Sequence, residues 1–208
     1  MQKILVLYAT REGQSLKVAE HVTQRLRARG LNVRQVEARQ HKDSFMLSDY
    51  EAVLMVAPVY ASFHPRELVR FASLHRELLA TMPARLLSLS LSQAGVELPS
   101  ASPEQRARSG AGVREVTDRF CKATGFDPRR VVPVAGCLAY SKYGFLKRQL
   151  MRYIARKAGG STDTSRDHEY TNFANVDAAL AVFCDEFAAA PLDMSARGAP
   201  HEGVRISD

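Results

Sequence analysis

The sequence of 208 residues has no apolar run that approaches the ~20 residues of a membrane-spanning helix, so we expect no transmembrane segment. It also lacks the basic lead and small-residue cleavage site of an export signal, because its N-terminus passes almost directly into an apolar run. Cysteine is scarce: Cys121, Cys137 and Cys184 are far apart and form no Cys-x-x-Cys pair. Scattered cysteines in a chain without an export signal are typical of reduced thiols. These absences predict a cytoplasmic protein without disulfides.

Two common nucleotide-binding signatures are also missing. The sequence has no Gly-x-Gly-x-x-Gly motif of dinucleotide-binding proteins and no Gly-Lys-Ser/Thr motif of a nucleotide P-loop. Its six histidines form no pair at helical spacing, and none lies close to a cysteine, so we expect no metal site.

Acidic residues are outnumbered by basic ones. The chain has 22 Asp and Glu against 29 Lys and Arg, which gives a net charge of +7. A basic protein favours an anionic partner, which here leaves a nucleic acid, an anionic membrane face and a polycarboxylate substrate as alternatives. No nucleic-acid recognition module accompanies the charge, so we expect no nucleic-acid partner.

Residues 3–15 carry a phosphate-binding pattern. A buried-strand run over 4–9 is followed by a short polar turn and then by an amphipathic helix. Free amide N–H groups and the helix dipole attract an anion to a helix N-terminus, and a glycine lets the backbone approach it closely. The alternative is that two hydroxyls of the turn only cap the helix. We expect one phosphate monoester to be held by Thr10, Arg11, Glu12, Gly13, Gln14 and Ser15, with Glu12 contributing its backbone N–H.

Strand-like and helix-like segments alternate along the chain. Further strands are predicted over 32–37, 50–57, 85–91 and 131–137, with helices from Pro65 to about 78 and over 112–124 and 174–189. Such alternation predicts an α/β fold, a doubly wound parallel sheet of five strands in the order 2-1-3-4-5 with helices on both faces. Ligands of such sheets bind beyond the carboxyl ends of the strands, which brings together the loops 10–15, 57–64 and 90–95.

We expect one domain over 1–190. Proline, serine and glycine within 93–112 predict a mobile loop, and the composition of 191–208 predicts a disordered C-terminal tail.

A basic amphipathic helix is predicted over about 143–158. Six cations and no acidic residue lie between 141 and 159, beside apolar residues at steps of three and four. One interpretation is a helix packed on the core with a solvated basic face. The other is a helix that also contacts anionic lipid on the inner face of the cell membrane, where aromatic residues at its start suit the headgroup region.

The pattern Thr-x-Glu-Gly-x-Ser directly after the first strand resembles the flavodoxin loop that holds the phosphate of FMN. Further along, Gly-Gly-Ser-Thr-Asp-Thr at 159–164 precedes Tyr-Thr-Asn-Phe at 170–173. Together with the basic segment, these motifs resemble the menaquinone-dependent protoporphyrinogen IX dehydrogenases over residues 3–185. The resemblance implies an FMN cofactor and a flavodoxin-like fold. It also implies oxidation of a porphyrinogen with a quinone as acceptor, in haem biosynthesis at the cytoplasmic membrane face.

The resemblance also implies site residues. Pro58, Val59 and Tyr60 would flank one face of the isoalloxazine, and the backbone of Ser90, Leu91, Ser92 and Gln93 would meet its pyrimidine edge. Lys142, Lys147 and Arg148 would contact the substrate propionates or the membrane. No residue need act as a covalent nucleophile; His64 is either a proton relay or incidental.

Three alternative functions fit the same sequence pattern. They are an electron-transfer flavodoxin, an NAD(P)H-dependent quinone reductase and a binding module without flavin. The oligomeric state is left open.

Overall fold

The computed structural model describes residues 3–39, 45–144, 148–149, 152 and 163–190. The strands are β1 (Lys3–Tyr8), β2 (Asn32–Glu37), β3 (Ala52–Pro58), β4 (Ala84–Ser90), β5 (Val131–Ala135), β6 (Cys137–Leu138) and β7 (His168–Glu169). The helices with defined bounds are α1 (Gln14–Ala28), α2 (Arg66–Leu74), α3 (Arg76–Thr81), α4 (Leu91–Glu97), α5 (Pro103–Thr124) and α6 (Phe173–Ala189). No helix in these ranges is long and apolar enough to cross a membrane.

The main sheet has five parallel strands in the order β2-β1-β3-β4-β5, which confirms the predicted topology. The central strands β1 and β3 are buried on both faces, as expected for a sheet covered by helices on either side. Because all five strands run in one direction, their carboxyl ends lie at one edge of the sheet.

Each face of the sheet has its own apolar core. On one face, Ile4 of β1 packs in a cluster with Val22 of α1 and Phe183 of α6. On the other face, Leu5 lies in a cluster that includes Phe120 of α5. The alternation of β1 side chains between the two clusters follows from the two-residue period of a strand. The sheet edge is thereby fixed in position between two layers of helices.

The prediction of a loop over 93–112 is wrong. Helix α4 occupies Leu91–Glu97 and α5 begins at Pro103, so only a short link separates them. Ser102 caps α5 through a capping box with Gln105, and Pro103 occupies the first helical turn, where it removes no helical hydrogen bond. The serine and proline therefore start a helix here.

Other boundaries differ by a few residues. The helix expected from Pro65 to about 78 is two helices, α2 and α3, that are separated at His75. Helix α1 ends close to Gly30, whose φ of 78° suits the left-handed region. Residues 137–138 do not continue β5; they form β6, which pairs antiparallel with β7.

The basic segment is described only in part. Arg148, Gln149 and Arg152 are helical, and the Arg148 N–H donates to the Gly144 carbonyl over 2.9 Å. The remainder of the helix predicted over 143–158, and the whole tail predicted over 191–208, lie outside the described residues.

Candidate functional site

A cleft opens at the edge of the sheet where the parallel strands end. Loops after β1, β3, β4 and β5 contribute to it. The lining residues are Thr10, Glu12, Gln14, Ser15, Pro58, Val59, Tyr60, Leu89, Ser90, Leu91, Gly136, Cys137 and Tyr143. The three loops that the sequence analysis assigned to one site therefore do meet, and a fourth loop joins them.

The turn between β1 and α1 exposes a helix N-terminus to this cleft. Gly13 immediately precedes α1 with a φ of 96°, a conformation that favours glycine. The hydroxyl of Thr10 accepts a hydrogen bond from the Gly13 N–H over 3.0 Å, which fixes the turn. The first turn of α1 has no acidic residue, so its amide groups and dipole present partial positive charge.

The Ser15 hydroxyl lies at this end of the helix and has no hydrogen-bond partner among the described residues. The residue is 1 % exposed, and within the described part of the chain its Oγ makes no hydrogen bond. Leaving a hydroxyl buried and unpaired costs roughly 1–3 kcal/mol. An oxygen-rich anion at the helix N-terminus would satisfy the hydroxyl together with the free amides. The residues present therefore fit a phosphate group.

The Gln14 side chain contacts the segment that follows β5. Its side-chain amide donates to Glu169 over 2.9 Å and to Thr171 over 2.8 Å. Lys17 forms an ion pair with the same Glu169 carboxylate. These contacts attach the β7 region to the start of α1.

The loop after β3 contributes an aromatic wall. Pro58 and Val59 lead into Tyr60, which pairs with Phe63 through two backbone hydrogen bonds of 2.9 Å. The Arg11 guanidinium lies over the Tyr60 ring, 5.4 Å from its centroid. Burial, aided by the Glu12 carboxylate, raises the pKa of Tyr60, so its phenol is a hydrogen-bond donor at neutral pH.

The loop after β4 is shorter than predicted because α4 begins at once. Ser90 caps α4 by accepting from the Gln93 N–H over 3.0 Å, and Ser90 and Leu91 line the cleft. Ser92 and Gln93 are not among the lining residues. The Ser92 hydroxyl lies beside Gly112 of α5, and the Gln93 side chain donates to Glu97.

Gly136, Cys137 and Tyr143 are site residues that the sequence analysis did not assign to the cleft. The Tyr143 hydroxyl donates to the Glu12 carboxylate over 2.9 Å. Burial, with a contribution from Glu12, raises the pKa of Cys137 to about 11, and it also raises the pKa of Tyr143. The signal that could have found them is the position of their loop, since β5 ends at the same sheet edge as the other strands.

The three cations that are predicted to contact the substrate or the membrane differ in their surroundings. Lys142 donates from Nζ to the backbone carbonyl of Glu12 over 2.5 Å. Arg148 donates to the Tyr143 carbonyl over 3.2 Å, and its Nε is buried without a partner in the described residues. Lys147 lies outside the described residues.

His64 follows the aromatic wall and is buried. Its Nε2 lies 2.9 Å from the Ser88 hydroxyl, and its ring packs edge-on against Phe120. Burial lowers the pKa of His64 to about 4, so the ring is neutral at physiological pH.

Comparison with known proteins places this architecture in a family. The model of the flavodoxin domain matches residues 5–165. Two relatives named protoporphyrinogen IX dehydrogenase [quinone] match most of the chain. The one from Leishmania major is 28 % identical over 196 residues, which are 94 % of this chain and 78 % of the relative. The one from Escherichia coli (strain K12) is 26 % identical over 179 residues, 84 % of this chain and 90 % of the relative.

Among solved structures, oxidised Flavodoxin 1 from Bacillus cereus is similar, with a TM-score of 0.45 and 12 % identity, over 90 % of this chain and 97 % of that one. The family match spans more than half of the chain and coincides with the sheet and the cleft described above. The chain therefore belongs to the flavodoxin domain family.

Proposed function

We propose that this protein is an FMN-dependent oxidoreductase that oxidises protoporphyrinogen IX to protoporphyrin IX with a quinone as electron acceptor. The flavodoxin domain supports a flavin cofactor, and the names of both relatives support the substrate and the acceptor. The one structural observation that carries the proposal is the buried, unpaired Ser15 hydroxyl at the N-terminus of α1, because it fits a single phosphate group.

FMN would span the cleft from the phosphate turn to the aromatic wall. The turn from Thr10 to Ser15 would hold the phosphate through its amide groups and the Ser15 hydroxyl. Pro58, Val59 and Tyr60 would flank the ring, and Ser90 and Leu91 would meet its polar edge. When bound, FMN would supply the hydride-transfer chemistry that amino-acid side chains lack.

The side chains of the cleft would bind and orient rather than form covalent bonds. The raised pKa of Cys137, about 11, keeps its thiol protonated at neutral pH, so it is a poor nucleophile. The raised pKa values of Tyr60 and Tyr143 keep both phenols protonated as donors. These three side chains would line the cleft beside the ring without offering a competing nucleophile.

The charge of the chain supports an anionic substrate. A porphyrinogen carries two propionates, and the net charge of +7 would attract them. We propose Lys147 and Arg148, at the start of the basic segment, as candidate cations for the propionates or for anionic lipid at the inner membrane face.

An anaerobic assay with the purified protein tests the proposal. The expected preparation is yellow, with the visible absorption of bound flavin, and it converts protoporphyrinogen IX to fluorescent protoporphyrin IX when a quinone is added. A colourless preparation that does not take up FMN would support a binding module without flavin. Flavin that is bleached by NAD(P)H but not by the porphyrinogen would support a quinone reductase. Reduction of a protein partner without porphyrinogen turnover would support an electron-transfer flavodoxin.

A further inference from the structure

The segment between β5 and α6 is attached to the phosphate turn from both of its ends. At its beginning, Lys142 and Tyr143 donate to the backbone and the side chain of Glu12. At its end, Glu169 and Thr171 accept from Gln14. This segment therefore supplies part of the surroundings of any anion that the turn holds.

Lys142 comes closest to the turn itself. Its ammonium nitrogen donates to the Glu12 carbonyl and lies only 3.1 Å from the position that a Cβ on Gly13 would occupy. Because Gly13 has no side chain, it leaves space for the Lys142 ammonium group and also adopts a positive φ without strain. The position of Lys142 is fixed by Ser141, whose N–H and hydroxyl both donate to Asp167 over 2.7 Å.

Two other cations beside the turn, Lys17 and Arg11, make side-chain contacts of their own. Lys17 is paired with Glu169, and the Arg11 guanidinium lies over the Tyr60 ring. Lys142 makes its hydrogen bond to a carbonyl, and Asp167, an acid that Lys142 influences electrostatically, is hydrogen-bonded to Ser141. The carboxylate of Glu12 adds negative charge beside the turn, which opposes the binding of a phosphate dianion.

We infer that Lys142 supplies the counter-charge for the cofactor phosphate and thereby makes the site selective for FMN over riboflavin. The inference rests on the proposed function, since it requires FMN in the cleft. It assigns to Lys142 a role at the phosphate end of the site instead of contact with a substrate carboxylate or with lipid. An ammonium group near a phosphate forms a charge-assisted interaction that is stronger than one between neutral groups.

Flavin titrations of Lys142→Gln test this inference by fluorescence quenching. Glutamine retains a donor for the Glu12 carbonyl and removes the charge. We expect the Kd for FMN to rise about tenfold in low salt while the Kd for riboflavin does not change. Lys142→Arg should retain most of the FMN affinity. The matched control is Lys122→Gln, which removes an exposed charge from the end of α5 that precedes β5, at the opposite edge of the sheet.

The dependence of FMN affinity on salt distinguishes the loss of a charge at position 142 from a change in the structure of the site. The difference between wild type and Lys142→Gln should shrink as ionic strength rises, because screening weakens the wild-type advantage. An unchanged FMN affinity, an equal loss for both flavins, or a loss that salt does not alter would each overturn the inference. A wild-type protein that binds neither flavin would instead overturn the proposed function, and the inference with it.

Discussion

Ser15 and Thr23 lie two turns apart on α1, and both carry a buried hydroxyl without a partner in the described residues. Only Ser15 lines the cleft. An unpaired buried hydroxyl lowers the stability of the folded chain, so such a group persists where a ligand uses it or where packing tolerates it. If the proposed function holds, a ligand uses the Ser15 hydroxyl, whereas packing alone accounts for the Thr23 hydroxyl.

Ser15→Ala should have opposite effects on stability and on cofactor binding. Without flavin, we expect the free energy of unfolding to rise by roughly 1 kcal/mol, because the unpaired hydroxyl is removed. The Kd for FMN should rise by about tenfold, because a phosphate contact is lost. Urea unfolding and flavin titration measure the two effects. Thr23→Val is the control and should alter stability alone; a loss of FMN affinity in that variant would contradict the assignment.

His64 should make stability depend on pH. Burial lowers its pKa from 6.5 to about 4, so between these values the unfolded chain binds more protons than the folded one. Stability should therefore fall as the pH is lowered through this range, with His64 contributing roughly 2 kcal/mol of the loss between pH 7 and pH 5. Urea midpoints at the two pH values measure it. In His64→Gln, which retains a partner for Ser88, the pH dependence should decrease; an identical slope would show that other groups cause it.

At the scale of elements, the sequence reveals strands more readily than helices. Strands β1 and β3 are buried on both faces and therefore appear as continuous apolar runs. The second half of α5 is predicted correctly over 112–124, but its first half contains proline, serine and glycine, which usually disfavour helices. A Cβ on Gly112 would meet the Ser92 hydroxyl at 3.1 Å, so this glycine lets α4 and α5 pack closely. Close packing between two helices is a tertiary contact, and it leaves no local signal in the sequence of either helix.

Part of the candidate site can be predicted from local sequence patterns, and part of it cannot. The turn between β1 and α1 is a local pattern at a strand–helix junction, so its place beside the cleft can be predicted from sequence order alone. Tyr143 reaches the cleft through its hydrogen bond with Glu12, 131 positions earlier in the chain. Tyr143 follows β6, which pairs antiparallel with β7, and each of these strands has only two residues. Strands this short have no periodicity from which to recognise them.

The turn that carries the aromatic wall is strained. Ala61 and Ser62 have φ values of 47° and 67°, between the paired residues Tyr60 and Phe63. Positive φ at both central residues defines a hairpin turn that favours Asn-Gly. Helix α5 holds this turn from outside, because Arg119 donates to the Ser62 carbonyl over 2.9 Å and lies over the Phe63 ring.

Replacing the two strained residues should stabilise the protein. We expect Ala61→Asn combined with Ser62→Gly to raise the free energy of unfolding by about 1 kcal/mol, because both new residues accept positive φ more readily. Urea unfolding measures the change. The control is Ala80→Gly on the exposed face of α3, where glycine should instead lower stability by about 1 kcal/mol. A lower free energy of unfolding in the turn variant would contradict the inference that this turn is strained.

For the whole molecule, the uneven distribution of charge matters more than its total. The chain has a net charge of +7, and six of its 29 basic residues fall between 141 and 159, where no acid offsets them. The described start of that segment lies beside the cleft, because Tyr143 lines it. An anionic membrane that attracts the segment would bring the cleft close to the lipid that dissolves a quinone.

Binding to anionic vesicles should therefore depend on the basic segment in particular. We expect Lys147→Gln combined with Arg148→Gln to weaken binding to phosphatidylserine vesicles, measured by cosedimentation, roughly thirtyfold, because each of the two cations near an anionic surface contributes about 1 kcal/mol. Wild-type binding should also decrease at high salt. The matched control is Arg76→Gln with Arg108→Gln, which removes the same charge from exposed sites on α3 and α5. Equal losses in both double variants would mean that only net charge matters, and unchanged sedimentation would exclude a role in lipid binding for Lys147 and Arg148.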